Sequence, residues 1–362
     1  MSEYLLIPPL LNPEEIQSCS PSLANQLAAC SYQTAFARDN RFDRLDRTNV
    51  FQLRGNVIHE ITAEGPHKLR DVPDDDFKKE FDELWEKESE VHYQRLQKDW
   101  FPASVPHFTQ WPEYALAKAR TRKKVKNIIQ KIRNSEGERR GPAVEEWLED
   151  PQHNLKGKPD RIETWTDGTV AVVDIKTGPH QEGIKPEQRR QLIFYAHLWR
   201  VNENQIPEKI VIENAKGDRF YEDIQESDID DVVTEVLELR ESFNKVAEGN
   251  YESLATPSKE SCQYCAYRTQ CNLFWKTYRE DWDGWRVSII GQIKEIDDVV
   301  VLDVVSPSDM INTEVRFKKP DDFLFDISDQ IVVIDAEKTT QTEIVKIKWD
   351  SLINDTPVVT SN

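Results

Sequence analysis

The stretch Lys158–Gly178, KPDRIETWTDGTVAVVDIKTG, decides how the chain is read. Asp167-Gly168 supplies turn residues, and the segments on either side are rich in β-branched and aromatic residues. Residues 155–165 (LKGKPDRIETW) and 170–178 (VAVVDIKTG) are therefore predicted as the two arms of a hairpin. Side chains alternate across a strand, so Asp174 and Lys176 face one way and Val173 and Ile175 the other. The first arm carries Asp160, and a short hairpin lets the two carboxylates converge on one hard cation. Taken alone, two aspartates and a lysine near an Asp-Gly turn are commonplace, and they also describe a hairpin edge protected by charges.

If the carboxylates do converge, the chemistry is specific. Mg2+ or Mn2+ held by two carboxylates, with its other positions left to water and phosphate oxygens, is the equipment for cutting a phosphodiester. Lys176 can then orient the attacking water or help to deprotonate it, and can stabilise developing negative charge. Glu145 or Glu146, in GPAVEEWLED just upstream, can hold the metal-bound water or add a ligand.

Outward from the hairpin, Pro186 opens a helix (PEQRRQLIFYAHLWRVN), and IPEKIVIENA returns as a strand, giving a mixed α/β core with helices flanking a sheet. Upstream the pattern is helical. Residues 20–38 read as a helix capped by Ser20 or Ser22 with Pro21 early, VFQLRGNVIHEITAE as a second, and residues 74–133 as mostly helix, broken by the prolines of FPASVPHFTQWPEY. Downstream, SDIDDVVTEVLELRESFNKVAEG is a further helix. Beyond Asp283 five short strand signals (WRVSIIGQI, DVVVLDVV, TEVRFKK, DQIVVIDA, TEIVKIKW) are spaced like an OB-type barrel. The expected domains are 1–282, with a helical insertion at about 70–140, then a barrel at 283–352 and a flexible tail at 353–362.

Composition narrows the function classes. No apolar run approaches the length of a spanning helix and MSEYLLIPPLL lacks the basic start of a signal peptide, so no membrane partner and a cytoplasmic location are expected. The net charge of −19 is awkward for a nucleic-acid protein, yet residues 118–140 carry ten Lys or Arg against two Glu. That stretch suits either a phosphate backbone or a solvated helix face. Three of the five cysteines fall in S261-CQYCAYRTQC-271, which argues for metal or cluster ligation over a disulfide framework and leaves a four-ligand site one donor short.

A PD followed fourteen residues later by D-I-K resembles the PD-(D/E)XK nuclease signature. Two pairs at i, i+4 spacing sharpen the resemblance towards the RecB-like branch, which includes CRISPR-associated exonucleases and the nuclease domains of helicase–nuclease complexes. Gly55 and His59 in RGNVIHE resemble that branch's Gly-x-x-x-His motif, whose histidine joins the metal site, and Gln191 and Tyr195 in QLIFY match its Gln-x-x-x-Tyr motif. Residue by residue, either pair is ordinary helix packing; four signatures in order are not. The resemblance spans about residues 20–275 and implies a restriction-endonuclease-like α/β core. It also implies Mg2+ or Mn2+ at Asp160, Asp174 and His59, and DNA positioned by Gln191 and Tyr195.

In the branch members that carry an iron–sulfur cluster, one cysteine precedes the nuclease core and three follow it. The resemblance thus implies a 4Fe-4S cluster on Cys30, Cys262, Cys265 and Cys271, with Cys19 a free thiol. Zinc on the same four thiolates remains chemically credible, since only the family layout favours iron. The expected function is a metal-dependent DNA exonuclease acting on single-stranded or free ends, in repair or defence. The alternative is a catalytically silent, nuclease-like scaffold that binds DNA or a helicase partner. Residues 285–362 hold eight Lys or Arg against fifteen Asp or Glu, so the barrel is expected to dock protein or autoinhibit at least as readily as to bind DNA. Trp285, Phe317, Phe323 and Trp349 are its candidate stacking aromatics, although core packing would also use them.

Overall fold

The computed structural model describes residues 10–45, 50–99, 106–134, 143–144, 147–176, 183–214, 218–246, 250–282, 284, 286–307, 309–310, 313–319, 324–339, 345–346 and 352–355. The chain divides into two compact units. One comprises Glu15–Ala28 and Thr48–Asn244 and contains both aspartates of the hairpin. The other comprises Met1–Glu14, Ala29–Arg47 and Lys245–Asn362 and contains Cys30, Cys262, Cys265 and Cys271. Among the described residues no helix is long and apolar enough to cross a membrane.

Helix α1 (Pro21–Ala37) begins as expected, with Ser20 Oγ accepting the Leu23 N–H at 3.3 Å. It is not continuous, because Cys30 adopts an extended backbone (φ −167°, ψ 102°) between two helical segments. In the aspartate unit, α2 (Val50–Lys68), α3 (Phe77–Asp99) and α4 (Tyr114–Asn134) follow, with the proline-rich break falling between α3 and α4. The basic stretch proves amphipathic. Ala117, Thr121, Val125 and Ile129 form a buried i, i+4 stripe, while Lys118, Arg122 and Lys126 pair with Asp82, Asp82 and Asp74. A buried stripe behind a charged face with ion pairs fits the solvated-face reading; residues 135–140 lie outside the described residues.

The sheet of this unit has five strands: β1 (Ala143–Val144), β4 (Arg161–Thr164), β5 (Val170–Lys176), β6 (Lys209–Asn214) and β7 (Arg219–Asp223), in that spatial order. The expected first hairpin arm is split. Its front half, β3 (Leu155–Gly157), pairs instead with β2 (Leu148–Asp150) in a separate ribbon, and only β4 pairs with β5. Pro159 explains the split, since it has no N–H to donate and a fixed φ, so the ladder restarts after it. Asp160 therefore sits immediately before β4. Gly168 (φ +92°) makes the turn into β5, where Thr169 N–H donates to Asp167 Oδ1 at 3.0 Å.

Strand β5 is central, antiparallel to β4 and parallel to β6, which rules out the hairpin-edge reading. Val170 to Val173 are fully buried, as expected of a strand covered on both faces. Helix α5 (Pro186–Glu203) connects β5 to β6, and α6 (Glu226–Asn244) packs on it.

In the cysteine unit, α7 (Lys259–Cys262) and α8 (Asn272–Thr277) precede the strands β8 (Arg286–Ile296), β9 (Val299–Ser306), β10 (Glu314–Lys318), β11 (Gln330–Lys338), β12 (Val345–Lys346) and β13 (Leu352–Asp355). They form a nearly closed antiparallel barrel in the order β10-β9-β8-β11-β12, with β13 also on β11. Residues 353–355, expected in the tail, thus continue the sheet. Phe317 is fully buried in the barrel core and is unavailable for stacking, while Trp285, Phe323 and Trp349 lie outside the described residues. The mixed α/β class with a C-terminal antiparallel barrel is as expected, but six described strands, β8 of eleven residues among them, stand where five short ones were expected.

Candidate active site

The carboxyl end of β5 and the residue before β4 bring the two aspartates together. Asp160 Oδ2 accepts the Ile175 backbone N–H at 2.7 Å, which fixes its carboxylate against the end of β5. Asp174 is only 3% exposed; its Oδ1 accepts from Gln191 Nε2 at 3.3 Å, and its Oδ2 lies 2.9 Å from Lys176 Nζ. Asp174 Oδ2 is therefore a buried carboxylate oxygen whose partner is the Lys176 ammonium. A buried carboxylate is costly without such a partner. His59 Nδ1, from α2, approaches Asp160 Oδ1 at 3.8 Å.

Electrostatics agree with a cation site. Burial, then the neighbouring Asp174 carboxylate, push Asp160 above the ordinary carboxylate range, against the opposing pull of His59, the Ile175 N–H and Lys176. Burial, then the same two carboxylates, push the Tyr195 phenol up to about 12, while Gln191 acts in the opposite sense. Two buried carboxylates crowded at the end of one strand present a hard donor set of the kind Mg2+ or Mn2+ takes. The structure therefore brings together Asp160, Asp174, Lys176, His59, Gln191 and Tyr195 from three regions of sequence. Glu145 and Glu146 lie outside the described residues.

The model of the PD-(D/E)XK nuclease superfamily matches residues 18–272. The chain belongs to that superfamily. Its members are typically metal-dependent nucleases, which implies a DNA substrate and a divalent metal. None of the curated proteins matches the chain. A solved structure described as "Crystal structure of SSO0001" is similar over 43% of this chain and 76% of its own, at 16% identity and a TM-score of 0.21, and at that score the likeness carries nothing further.

One supporting residue of this nuclease-superfamily site was not foreseen. A Cβ on Gly157 would lie 2.8 Å from Tyr195 Cε1 and 3.2 Å from Leu198 Cδ1, so the glycine is what lets α5 press its Tyr195 face onto the segment entering Asp160. The signal was available in the sequence: a glycine two residues before the Pro-Asp, where the backbone must approach another element closely.

A second cluster lies in the same unit. Asp150 at the end of β2, His153 in the turn and His197 on α5 place their ligand atoms within 4.8 Å of one another, close enough to hold a metal ion. As the chain stands, protons fill that space. Asp150 Oδ2 is 2.6 Å from His153 Nδ1 and 2.7 Å from His197 Nε2, and Arg200 Nη2 is 3.2 Å from His197 Nδ1. Because a guanidinium only donates, His197 accepts at Nδ1 and carries its proton on Nε2, directed at Asp150. Burial lowers the His197 pKa, in keeping with this neutral tautomer. The cluster closes the β2–β3 ribbon onto α5.

The four cysteines behave differently from Cys19. Cys19 is fully buried beside β3, its N–H donating to Asn154 O at 3.0 Å, with burial pushing its thiol up to about 11. Cys30, Cys262, Cys265 and Cys271 share the other unit and lie close enough for electrostatic interaction: Cys30 bears on Cys262 and Cys271, and Cys262 and Cys271 bear on Cys265. Burial pushes Cys265 and Cys271 up to about 12. With their thiols raised in this way Cys265 and Cys271 are poor nucleophiles, and they become ligands only where a metal takes their protons. Arg268 fixes this segment. It donates from Nε to Cys265 O at 3.0 Å and makes a forked pair with Asp335 of β11 at 3.0 and 2.6 Å.

Proposed function

We propose that the protein is a metal-dependent DNA exonuclease of the RecB-like branch, acting on single-stranded or free DNA ends, with a four-thiolate centre that is structural. The observation that carries the reading is the buried Asp174 carboxylate, ion-paired to Lys176 at 2.9 Å, beside an Asp160 carboxyl raised by burial and by Asp174 itself. In this reading Asp160 and Asp174, with His59, hold Mg2+ or Mn2+, which supplies Lewis-acid polarisation of the phosphate and an activated water. Lys176 orients that water and offsets the charge developing on the phosphoryl oxygens. Gln191 holds the Asp174 carboxylate in place through its 3.3 Å bond, and Tyr195, a neutral phenol, closes that side of the site. Glu145 is kept as a candidate for holding the metal-bound water.

A set of four thiols fits either a 4Fe-4S cluster or Zn2+ by donor chemistry. The one-before, three-after layout across the nuclease segment supports the cluster. Its role would be a clasp, since ligand binding to a site absent from the unfolded chain becomes folding free energy. Retention of both aspartates and the lysine in one place speaks against a silent scaffold. The test is anaerobic purification with iron and sulfide analysis, followed by a Mn2+-dependent assay on linear and circular single strands. Stoichiometric iron and sulfide with digestion of the linear strand alone is expected. Cleavage of circles would refute the exonuclease reading, and zinc in place of iron would refute the cluster.

A further inference from the structure

Tyr32 carries a buried hydroxyl that no described group meets. The residue follows Cys30 by two positions on α1 and is 2% exposed, and its Oη has no hydrogen-bond partner among the described residues. A tyrosine buried to this degree ordinarily finds a partner for its O–H, and leaving the group unmet costs free energy. Packing fixes the ring where it is. Its centroid stands 4.9 Å from that of Phe36, which in turn stacks on Tyr267 at 5.2 Å and an interplanar angle of 9°. Phe36 and Tyr267 are themselves buried, and Tyr267 lies between Cys265 and Cys271 in the sequence. Thr256 Oγ1 donates to Ala29 O at 2.8 Å, which ties the chain beside Cys30 to the segment that leads into Cys262. The phenol is thus held among the segments that carry all four cysteines.

What surrounds the hydroxyl points to its use. Burial first, then Cys271, Glu252 and Cys30, push the Tyr32 phenol up, so the group stays protonated, a donor, with two of the four cysteines near enough to act on it. A neutral thiol is a weak acceptor, whereas a thiolate sulfur carries charge and accepts well. The O–H is therefore unmet while Cys271 is a thiol and is met once a bound group takes the Cys271 proton.

We infer that the Tyr32 hydroxyl donates a hydrogen bond to the Cys271 sulfur of the loaded four-cysteine centre and so helps to set its reduction potential. The inference rests on the reading of that centre as a 4Fe-4S cluster and adds a residue that tunes it. Hydrogen bonds to the sulfurs are among the levers a protein has on the potential of such a cluster. Reduction adds negative charge at the sulfurs, so a donor favours the reduced form and raises the potential. Tyr32 is a positioning residue that acts through Cys271, and it takes no part in cleavage at Asp160 and Asp174.

The test is a redox titration, followed by visible absorption, of the anaerobically purified full chain after iron and sulfide analysis. Three proteins are compared: the wild type, Tyr32→Phe, and the chain with 3-fluorotyrosine in place of Tyr32. Tyr32→Phe keeps the ring and loses the donor. It should hold the iron and sulfide of the wild type, with its reduction equilibrium shifted about tenfold towards the oxidised form, about 59 mV for one electron. The fluorinated phenol is more acidic, a stronger donor in nearly the same space, and should move the potential the opposite way. That second protein decides the matter if Tyr32→Phe does not fold. Potentials unchanged from the wild type, the result expected if the hydroxyl met Glu252 or only packed, would overturn the inference and leave the cluster reading standing. A wild type without iron and sulfide would remove both.

Discussion

The two compact units solve opposite problems with buried polar groups. In the aspartate unit, charge is concentrated: buried Asp174 holds the Lys176 ammonium at 2.9 Å, and burial, then Asp174, raise Asp160. In the cysteine unit, Cys262 is buried in an apolar and aromatic cluster, and Cys30, Cys265 and Cys271 are half-buried. Cys262 packs with Phe274, Trp275 and Tyr278 against Ile290, Val332 and Ile334 of β8 and β11. Crowded carboxylates at the end of a central strand suit chemistry, whereas thiols beside an aromatic core suit a structural centre. The comparison separates function from stability and can be broken at either end.

The largest effect is expected at the aspartates. Asp174→Ala should lower Mn2+-dependent cleavage about a thousand-fold or more, the scale of losing a group at the reacting centre, with iron content unchanged. Cys30→Ser should do the reverse. Iron and its visible absorption should be lost, and hydrogen exchange should rise through α8, β8 and β11, with destabilisation of about 3 kcal/mol or more. If Cys30→Ser leaves exchange in the barrel strands unchanged, the clasp role is wrong.

Glu213 probes the aspartate unit through pH. Burial alone would raise it, yet Lys124 and Arg161 hold it down to about 2 from an ordinary 4.5. A lowered folded pKa means its stabilisation is complete above about pH 4.5 and is lost as pH falls towards 2, about 3 kcal/mol in total. Glu213→Gln should therefore flatten the acid limb of a urea-denaturation series; an unchanged limb would show that the network contributes nothing. Gly157→Ala should cost about 1–3 kcal/mol and reduce activity by displacing Tyr195, read by thermal melting and kinetics. Smallest should be Tyr195→Phe, a change of about two- to ten-fold in rate from the loss of one hydroxyl and its Gln191 bond.

Much of the aspartate unit was legible because its signals are local. The turn at Asp167-Gly168, the alternation in β5 and the i, i+4 spacing of Gln191 and Tyr195 each encode geometry within a few residues. What was not legible depends on which elements pair. Residues 155–157 left the predicted arm for β2 because Pro159 interrupts the ladder, and β5 became a central strand only through β6, more than thirty residues on. The break at Cys30 follows from no local helix breaker: Ala29, Cys30 and Ser31 read as helix, and only the folded chain shows the extended backbone there. The grouping of the four cysteines with the barrel strands likewise rests on Arg268–Asp335 and on aromatic packing, which no spacing announces.

The central claim is that Asp160, Asp174 and Lys176 form a metal-dependent centre that cuts DNA from its ends. The most direct measurement is cleavage of an end-labelled single strand by anaerobically purified protein, titrated with Mn2+, for the wild type, Asp160→Asn and Lys176→Ala. The account predicts saturable, Mn2+-dependent release of short products by the wild type. Asp160→Asn should show weakened metal dependence and little turnover, and Lys176→Ala should bind DNA normally yet cut about a hundred-fold or more slowly. Equal cleavage by all three proteins, or wild-type cleavage that persists in EDTA, would contradict it.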